Sequence, residues 1–334
     1  MLEKVLLRTA AESATEAAGA SLARSLHGIP VTIGLSGALG TGKTAFMRGF
    51  LRALGVADAV TSPTYALEQR YDTSAGEVLH IDLYRLGEAE AAALLRHSDH
   101  HAGIRCVEWP ERCPGMATDI DVAIEEAPDG GRSISVACRD VDWPDDATIV
   151  GWRTEVALPA NVGEHCDVVA DFCERAANAM IARGTFVRPR FVRAAGMVHD
   201  LLRFVDFKPG AAPNGHVDPP ETVAAWSEWK KRYPHATHEE AVGAFLADRG
   251  FPRLGALAAS HSIRLTIAER GSTESQLLYY ADKRVIGDRV VTIKDRYDDF
   301  AVRYGGGTRS PESLLWERDA LDTEKLLFPD GVPF

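Results

Sequence analysis

Short apolar runs alternate with segments of helical periodicity over the first 140 residues. Phe46, Phe50 and Leu54 recur at helical spacing, which predicts a helix over 43–54, and a second helix is expected over 88–96. The apolar runs predict strands over 31–36, 65–71, 77–84 and 104–109, followed by a hairpin of 119–127 with 132–140. Strands interleaved with helices favour an α/β domain with a mostly parallel sheet.

The pattern changes after residue 140. Prolines, aspartates and small residues interrupt any period over 141–160, which indicates a linker. Helical spacing dominates beyond it, and only short strand-like pieces are expected there. The predicted helices cover 163–184, 188–207, 221–233, 237–250, 252–262, 274–285 and 290–305. We therefore predict an α/β domain over 1–140, a linker over 141–160 and an all-α domain over 161–334.

Composition narrows the class of protein. A chain of 334 residues is long enough for two domains, since single cores stop growing near roughly 250–300 residues. The net charge of −11 argues against a broad nucleic-acid-binding face. No apolar run approaches the roughly 20 residues that span a bilayer, and the N-terminus lacks a signal-peptide pattern. Five cysteines without a CxxC pair favour reduced thiols and a cytoplasmic location.

One motif carries clear chemistry. The segment GALGTGKT, residues 37–44, fits the pattern GxxxxGK[ST] between a predicted strand and a predicted helix. Backbone N–H groups in such a loop surround phosphate oxygens, the lysine reaches the β- and γ-phosphates and the hydroxyl binds Mg²⁺. We expect ATP, with ADP as its product, and Mg²⁺ at this loop. The expected contacts are Gly37, Leu39, Gly40, Thr41, Gly42, Lys43 and Thr44, the last of which also contacts the metal.

The loop alone does not distinguish a kinase, a GTPase and an ATPase. A guanine-specific NKxD string is absent from the sequence. Two predicted strands end in acids, Asp82 and Glu108, and either could face the metal or orient the attacking water. Both are therefore candidate catalytic residues, and Glu108 is also a candidate metal ligand.

Four segments together resemble the TsaE family. They are the phosphate loop with its helix, TSPTYALEQRY, LHIDLYRL and VEWPE, in this order over residues 1–140. The resemblance implies an ATPase that supports synthesis of N6-threonylcarbamoyladenosine in tRNA and works with partner proteins of that pathway. It also implies a switch-like loop that begins at Thr61, an essential acid at Asp82, and closure of the nucleotide site by Glu108 and Trp109. The family's glycine-containing segment before VEWPE is replaced here by a histidine-rich one, so the loop that contacts partners is expected to differ.

Histidines and acids recur in the predicted helical domain. His199 and Asp200 follow an apolar run, and Asp282 follows another. Helices that direct such side chains toward one core can build a divalent metal site. The candidate ligands are His165, His199, Asp200, His238, His261 and Asp282.

Their order resembles the HD superfamily of metal-dependent phosphohydrolases over about 160–305. The resemblance implies one metal on His165, His199, Asp200 and Asp282. A second would bind His238 and His261 and share Asp200, and the alternative is a single metal with these two histidines contacting the substrate. The ions would be Mn²⁺, Fe²⁺, Mg²⁺, Co²⁺ or Ni²⁺. Arg203 occupies the place of a frequent family lysine and could bind phosphate.

The resulting expectation is a bifunctional chain. A TsaE-like ATPase would be joined to an HD-type phosphohydrolase that acts on a nucleotide or another phosphate ester, with Asp200 and Arg203 among its catalytic residues. The alternative is an ATP-dependent interaction module whose helical domain is a scaffold or a nucleotide sensor. A kinase paired with its opposing phosphatase ranks below both, because no lid arginines for phosphoryl transfer are evident.

Overall fold

The structure is a computed structural model, and it describes residues 1–57, 60–207, 219–304 and 306–333. The chain divides into two compact units. The first comprises Met1–Val141 and Ala179–Arg188, and the second comprises Asp142–Asn178 and Pro189–Phe334.

A seven-stranded sheet forms the centre of the first unit. Its strands are β1 Glu3–Thr9, β2 Val31–Ser36, β3 Glu68–Thr73, β4 Gly76–Asp82, β5 Ile104–Glu108, β6 Ile120–Glu126 and β7 Arg132–Cys138. The order across the sheet is β1-β7-β6-β2-β5-β4-β3. Neighbours among β6, β2, β5 and β4 pair in parallel, whereas β1, β7 and β3 are added through antiparallel pairs. The predicted α/β class with a mostly parallel central sheet is confirmed.

Helices cover both faces of this sheet. They are α1 Glu12–Ala23, α2 Lys43–Ala53 and α3 Glu88–His97. Successive residues of a strand point to opposite faces. Val78 of β4 therefore packs with Phe46 and Phe50 of α2, while Leu79 packs with Leu95 of α3. This burial explains the helical spacing of the apolar residues at positions 46 and 50.

Strand β1 and helix α1 are two elements that were not predicted. Strand β1 alternates strictly, since Val5 and Leu7 are buried and Leu6 between them is 54% exposed. Helix α1 contacts α2 closely, and a Cβ on Gly49 would lie 1.8 Å from the carbonyl oxygen of Glu16. Such a close approach depends on a residue far away in the sequence, so the local pattern of apolar residues does not predict it.

The second unit is helical, as predicted for the C-terminal part of the chain. A two-stranded hairpin, β8 with β9, accompanies the helices. The elements are α4 Asp146–Glu155, α5 Ala160–Ala182, α6 Pro189–Val198, α7 Pro220–Arg232, α8 His238–Asp248, α9 Pro252–Ala259, α10 Ile267–Arg270, α11 Thr273–Asp282, β8 Val285–Ile286, β9 Arg289–Val290, α12 Ile293–Tyr304 and α13 Pro311–Leu327.

Two elements differ from the prediction. Helix α4 lies inside the expected linker, where the Asp145 side chain accepts a hydrogen bond from the Thr148 backbone N–H and caps the helix. Helix α6 ends at Val198, although helix was expected to residue 207. The Nδ1 atom of His199 lies 2.8 Å from the carbonyl oxygen of Gly196, one of the carbonyls that a helix end leaves free. A turn and a short 3-10 helix, Arg203–Asp206, follow instead.

Within the described ranges, the structure contains no helix with the length and apolar character needed to cross a bilayer.

Glycine at position 196 is required by the packing of α6 on α5. A Cβ on Gly196 would lie 2.7 Å from the Cα atom of Ala170, whereas a Cβ on Gly151 of α4 would meet nothing within 4 Å. We expect Gly196→Ala to lower the free energy of unfolding by about 1–3 kcal/mol through overpacking. Gly151→Ala should raise it by up to about 1 kcal/mol through helix propensity. Urea unfolding followed by circular dichroism measures both, and equal effects of the two changes would contradict this packing.

Candidate functional site

The loop that follows β2 forms a cradle. Gly37 and Gly42 have φ angles of 138° and 109°, which glycine adopts without strain. A Cβ on Gly37 would also lie 2.3 Å from the carbonyl oxygen of Ile124. Lys43 opens α2 and its Nζ donates hydrogen bonds to the carbonyl oxygens of Gly37 at 2.7 Å and Ala38 at 3.1 Å. The chain thus wraps around its own lysine at a helix N-terminus, the geometry of an anion site.

A cavity of about 550 Å³ lies over this loop. The volume falls within the range typical of small-molecule sites, about 300–1,000 Å³. Its lining includes six of the seven predicted loop contacts, namely Leu39, Gly40, Thr41, Gly42, Lys43 and Thr44. The seventh, Gly37, contributes its carbonyl to Lys43 instead.

Sheet register brings the two predicted acids together. Asp82 at the end of β4 pairs with Glu108 at the end of β5, and Glu108 pairs with Leu35 of β2. The carboxyl ends of these parallel strands therefore meet beside the phosphate loop, and both acids line the cavity. This is the edge of an open α/β sheet where ligands usually bind.

Each acid is held by defined partners. Asp82 Oδ2 accepts hydrogen bonds from Thr64 Oγ1 at 2.7 Å and Ser62 Oγ at 3.1 Å, and its Oδ1 accepts one from the Tyr84 backbone N–H at 2.9 Å. Glu108 Oε1 lies 3.0 Å from His80 Nε2, and both of these side chains are buried. The carboxylates are thus fixed before any ligand arrives.

Trp109 closes one side of the cavity. It has a φ angle of 58°, unusual for a bulky residue, and its backbone N–H donates to the Leu35 carbonyl. The Lys43 ammonium lies 4.1 Å from the centroid of the indole ring. Burial lowers the pKa of Lys43, while the nearby charges of Glu108 and Asp82 oppose that shift.

Thr61, a predicted nucleotide contact, is exposed and lies outside the lining. Ser62 and Thr64 of the same segment face the cavity instead. Two further stretches of the lining, Thr9–Glu12 and Gly130–Arg132, were missed by the sequence analysis. Strand order explains them, since β6 lies beside β2 and places the β6–β7 turn over the loop, where the Nε of Arg132 donates to the Thr41 carbonyl at 2.9 Å. No sequence signal marked these residues.

Known proteins resemble this part of the chain. A family model described as threonylcarbamoyl adenosine biosynthesis protein TsaE matches residues 9–134. A protein of Aquifex aeolicus named tRNA threonylcarbamoyladenosine biosynthesis protein TsaE is 35% identical over 138 residues, which cover 41% of this chain and 96% of that protein. The chain belongs to the TsaE family.

Two more relatives carry the same name. One, from Synechocystis, is 37% identical over 109 residues, which cover 31% of this chain and 69% of that protein. The other, from Haemophilus influenzae, is 32% identical over 134 residues, covering 40% of this chain and 75% of that protein. The relatedness therefore concerns the TsaE-family unit with its phosphate loop.

The helical unit that follows the TsaE-family unit contains a cluster of imidazoles and carboxylates. All six side chains predicted as metal ligands lie in it, contributed by five segments. They are His165 of α5, His199 and Asp200 of the turn after α6, His238 at the start of α8, His261 just after α9, and Asp282 at the end of α11.

The cluster consists of two groups. In the first, Asp282 Oδ1 lies 3.1 Å from His165 Nε2 and 3.8 Å from His199 Nε2. In the second, Asp200 Oδ1 lies 3.1 Å from His238 Nε2 and 3.6 Å from His261 Nε2. The ligand atoms of each group lie within 4.8 Å of one another. His199 Nε2 also lies 3.9 Å from Asp200 Oδ2, so the groups adjoin.

The orientation of the imidazoles suits a divalent cation. The Nδ1 atoms of His199 and His261 contact the carbonyl oxygens of Gly196 at 2.8 Å and Ala258 at 2.6 Å, which leaves each Nε2 facing the cluster. The Nε2 atom of His199 is buried and has no hydrogen-bond partner among the described residues. Burial lowers the pKa of His261, which favours the neutral imidazole that binds metals. The donor set therefore fits one or two divalent ions.

Cations surround the two carboxylates. Burial alone would raise the pKa of Asp282, but the Lys283 ammonium and the hydrogen bond from His165 hold it well below its usual value. Burial would also raise the pKa of Asp200, but the positive charge of Arg203 holds it well below its usual value. Both carboxylates are therefore ionised at neutral pH and available to a metal.

The hydroxyl of Thr64, and not that of Thr61, is expected to support nucleotide turnover. Thr64→Val removes the donor that lies 2.7 Å from Asp82. Loss of a hydrogen bond to a charged group costs about 1.5–3 kcal/mol, so we expect ATP hydrolysis to fall by about 10- to 100-fold. Thr61→Val is the matched control and should leave the rate within about twofold of the original protein, an effect of less than 0.5 kcal/mol. Steady-state release of ADP measures both variants. An equal loss in the two variants would contradict the assignment.

Proposed function

We propose that the first unit is an ATPase that acts in the synthesis of threonylcarbamoyladenosine in tRNA. The observation that carries this proposal is the cavity in which Lys43 and its loop face Asp82 and Glu108. Membership of the TsaE family and the names of the relatives support the pathway. Other proteins of that pathway are the expected partners, and five free cysteines are compatible with work in the cytoplasm.

The residues divide the work by position. Loop N–H groups and Lys43 bind the β- and γ-phosphates, and the Thr44 hydroxyl together with Asp82 or Glu108 would hold Mg²⁺. The bound ion neutralises phosphate charge. Asp82, held by Ser62 and Thr64, orients groups at the γ-phosphate. Trp109 lies against Lys43 and limits access of water to that side of the cavity.

We propose that the second unit, Asp142–Asn178 with Pro189–Phe334, is an HD-type metal-dependent phosphohydrolase. The convergence of six imidazole and carboxylate side chains from five segments carries this proposal. The order of the ligands along the chain follows the HD pattern described above.

The chain's own groups suit a phosphate ester, such as a nucleotide. His165, His199, Asp200 and Asp282 would hold one ion, and His238, His261 and the shared Asp200 would hold a second. Bound ions of this kind polarise phosphoryl oxygens and activate water. Arg203, about one-third exposed, lies at the rim beside His238 and can bind a phosphoryl oxygen through its fork of N–H donors.

Removal of the loop lysine should abolish productive ATP binding. We expect Lys43→Ala to weaken binding of Mg²⁺–ATP by about 10- to 100-fold, because the charge-assisted hydrogen bonds contribute about 1.5–3 kcal/mol. Isothermal titration calorimetry measures the affinity. Arg52→Ala removes an exposed cation from the same helix and is the matched control, expected to bind ATP normally. Unchanged affinity in Lys43→Ala would overturn the assignment of the cavity.

Phosphohydrolase activity should depend on a divalent metal. In the Lys43→Ala background, which suppresses the ATPase, phosphate release from nucleoside monophosphates should vanish after chelation and return with Mn²⁺. Asp200→Asn removes the carboxylate proposed to bind both ions and should lower the rate by about 100-fold or more. Asp248→Asn, an exposed acid of α8, is the control.

A scaffold or nucleotide sensor makes a different prediction for the same proteins. Such a unit would release no phosphate with any nucleotide while metal is bound, and Asp200→Asn would change nothing. That pair of results would overturn the hydrolase proposal and leave the ATPase proposal intact.

A further inference from the structure

His238 is oriented differently from His199 and His261. The Nδ1 atoms of His199 and His261 contact carbonyl oxygens of their own helix ends, three residues earlier in the chain. His238 begins its helix, so no such carbonyl precedes it. Its Nδ1 atom lies 2.5 Å from Asp206 Oδ2 instead. The Nδ1 atom of His238 thus contacts a carboxylate, where those of His199 and His261 contact a carbonyl.

The contact between Asp206 and His238 is anchored at a second point. Asp206 Oδ1 accepts a hydrogen bond from the backbone N–H of His238 at 3.1 Å. The two oxygens of one carboxylate thus hold both the ring and the backbone of the same residue. Glu239 Oε2 also lies 3.1 Å from Nδ1, but Asp206 is the acid that fixes the start of α8 as well.

We propose that Asp206 is a positioning residue that holds His238 with its Nε2 atom toward Asp200 and His261 and thereby strengthens the second metal position. The inference rests on the proposed function of the second unit. When the ring of His238 is neutral, an Nδ1–H that donates to Asp206 leaves the lone pair on Nε2, which is the tautomer that a metal requires at that atom.

The charge of Asp206 adds to its geometry. Asp206 Oδ2 lies 2.5 Å from His238 Nδ1 and 3.4 Å from Arg203 Nη1, so the carboxylate faces two basic groups. An ionised acceptor makes an imidazole a stronger donor to a metal than a neutral carbonyl does. His238 is therefore a stronger donor to a metal than His199 and His261, whose Nδ1 atoms contact neutral carbonyls. This strengthens the second metal position, to which His238 belongs.

Arg203 occupies the same surroundings. Its Nη1 atom lies 2.9 Å from His238 Nδ1, 3.0 Å from His238 Nε2 and 3.4 Å from Asp206 Oδ2. A guanidinium so close to the ring competes with a cation for Nε2, and Asp206 offers the guanidinium an alternative partner close by. Asp206 can thus hold Arg203 when Nε2 is engaged elsewhere.

The test measures metal binding and tautomer separately. The full chain is stripped with a chelator and titrated with Mn²⁺, and calorimetry gives the affinity and stoichiometry. Three variants are compared: Asp206→Ala, Asp206→Asn, which keeps an acceptor oxygen without the charge, and the exposed-acid control Asp248→Asn. Circular dichroism confirms that each is folded. Nitrogen-15 NMR of labelled histidines in the metal-free protein reads the His238 tautomer, assigned with His238→Gln.

We expect the original protein to bind two ions. Asp206→Ala should weaken one of them by about 10- to 100-fold, the range for loss of a carboxylate behind a metal-binding histidine. Asp206→Asn should fall between this variant and the original, and Asp248→Asn should match the original. The His238 signal should show Nδ1–H in the original protein and lose that preference in Asp206→Ala.

Two outcomes would overturn the inference. One is two unchanged affinities and an unchanged tautomer in Asp206→Ala. The other is a third ion in the original protein that Asp206→Ala alone loses, because Asp206 would then be a ligand itself. Failure of the proposed function looks different: no Mn²⁺ binds to any protein, although the tautomer measurement still reports whether Asp206 orients the ring.

Discussion

Burial of charge is the constraint on which both sites of this chain depend. Lys43 is 6% exposed, Asp82 and Glu108 are each 2% exposed, and Asp282 is 6% exposed. An isolated ionised group in such surroundings costs several kcal/mol, so each must be matched by opposite charge or by hydrogen bonds. In the first unit the match is incomplete around Lys43, which contacts carbonyls and an indole. In the second it is incomplete at His199 Nε2. At both places, a bound ligand would supply the missing opposite charge or hydrogen-bond partner.

Prediction from sequence succeeded in the first unit where one local pattern held all the information. The phosphate loop is such a pattern, since glycine at 37 and 42 and lysine at 43 are required by neighbours within a few residues. Asp82 and Glu108 were found because each ends an apolar strand. That the two acids lie side by side depends on β4 pairing with β5, and strand order comes from the whole sheet.

The misses in that unit have the same origin. Strand β1 alternates clearly, but its place at the sheet edge depends on β7, more than a hundred residues away. The Gly130–Arg132 turn reaches the nucleotide cavity only because β6 lies next to β2. Within the Thr61–Thr64 segment, the residue types are nearly interchangeable, and only the fold determines which hydroxyl points at Asp82.

The second unit shows the reverse balance. The side chains proposed as its ligands were selected by their order along the chain, and they lie together in the fold. The extent of the helices was overestimated, because an apolar run continues past Val198 after the helix has stopped. Asp206 was missed for a related reason. It lies in a short 3-10 helix with no motif around it, and its partner His238 is 32 residues away.

The point where a helix stops determines the direction of the imidazole that follows it. His199 and His261 each take a carbonyl three residues back, a group that is available only because the helix does not continue to use it. Lengthening or shortening α6 by a single residue would turn the next side chain by about 100° around the axis. The length of α6 therefore helps to determine the geometry of the cluster. An insertion in α6 that keeps all six of these side chains in the sequence would still separate them in space.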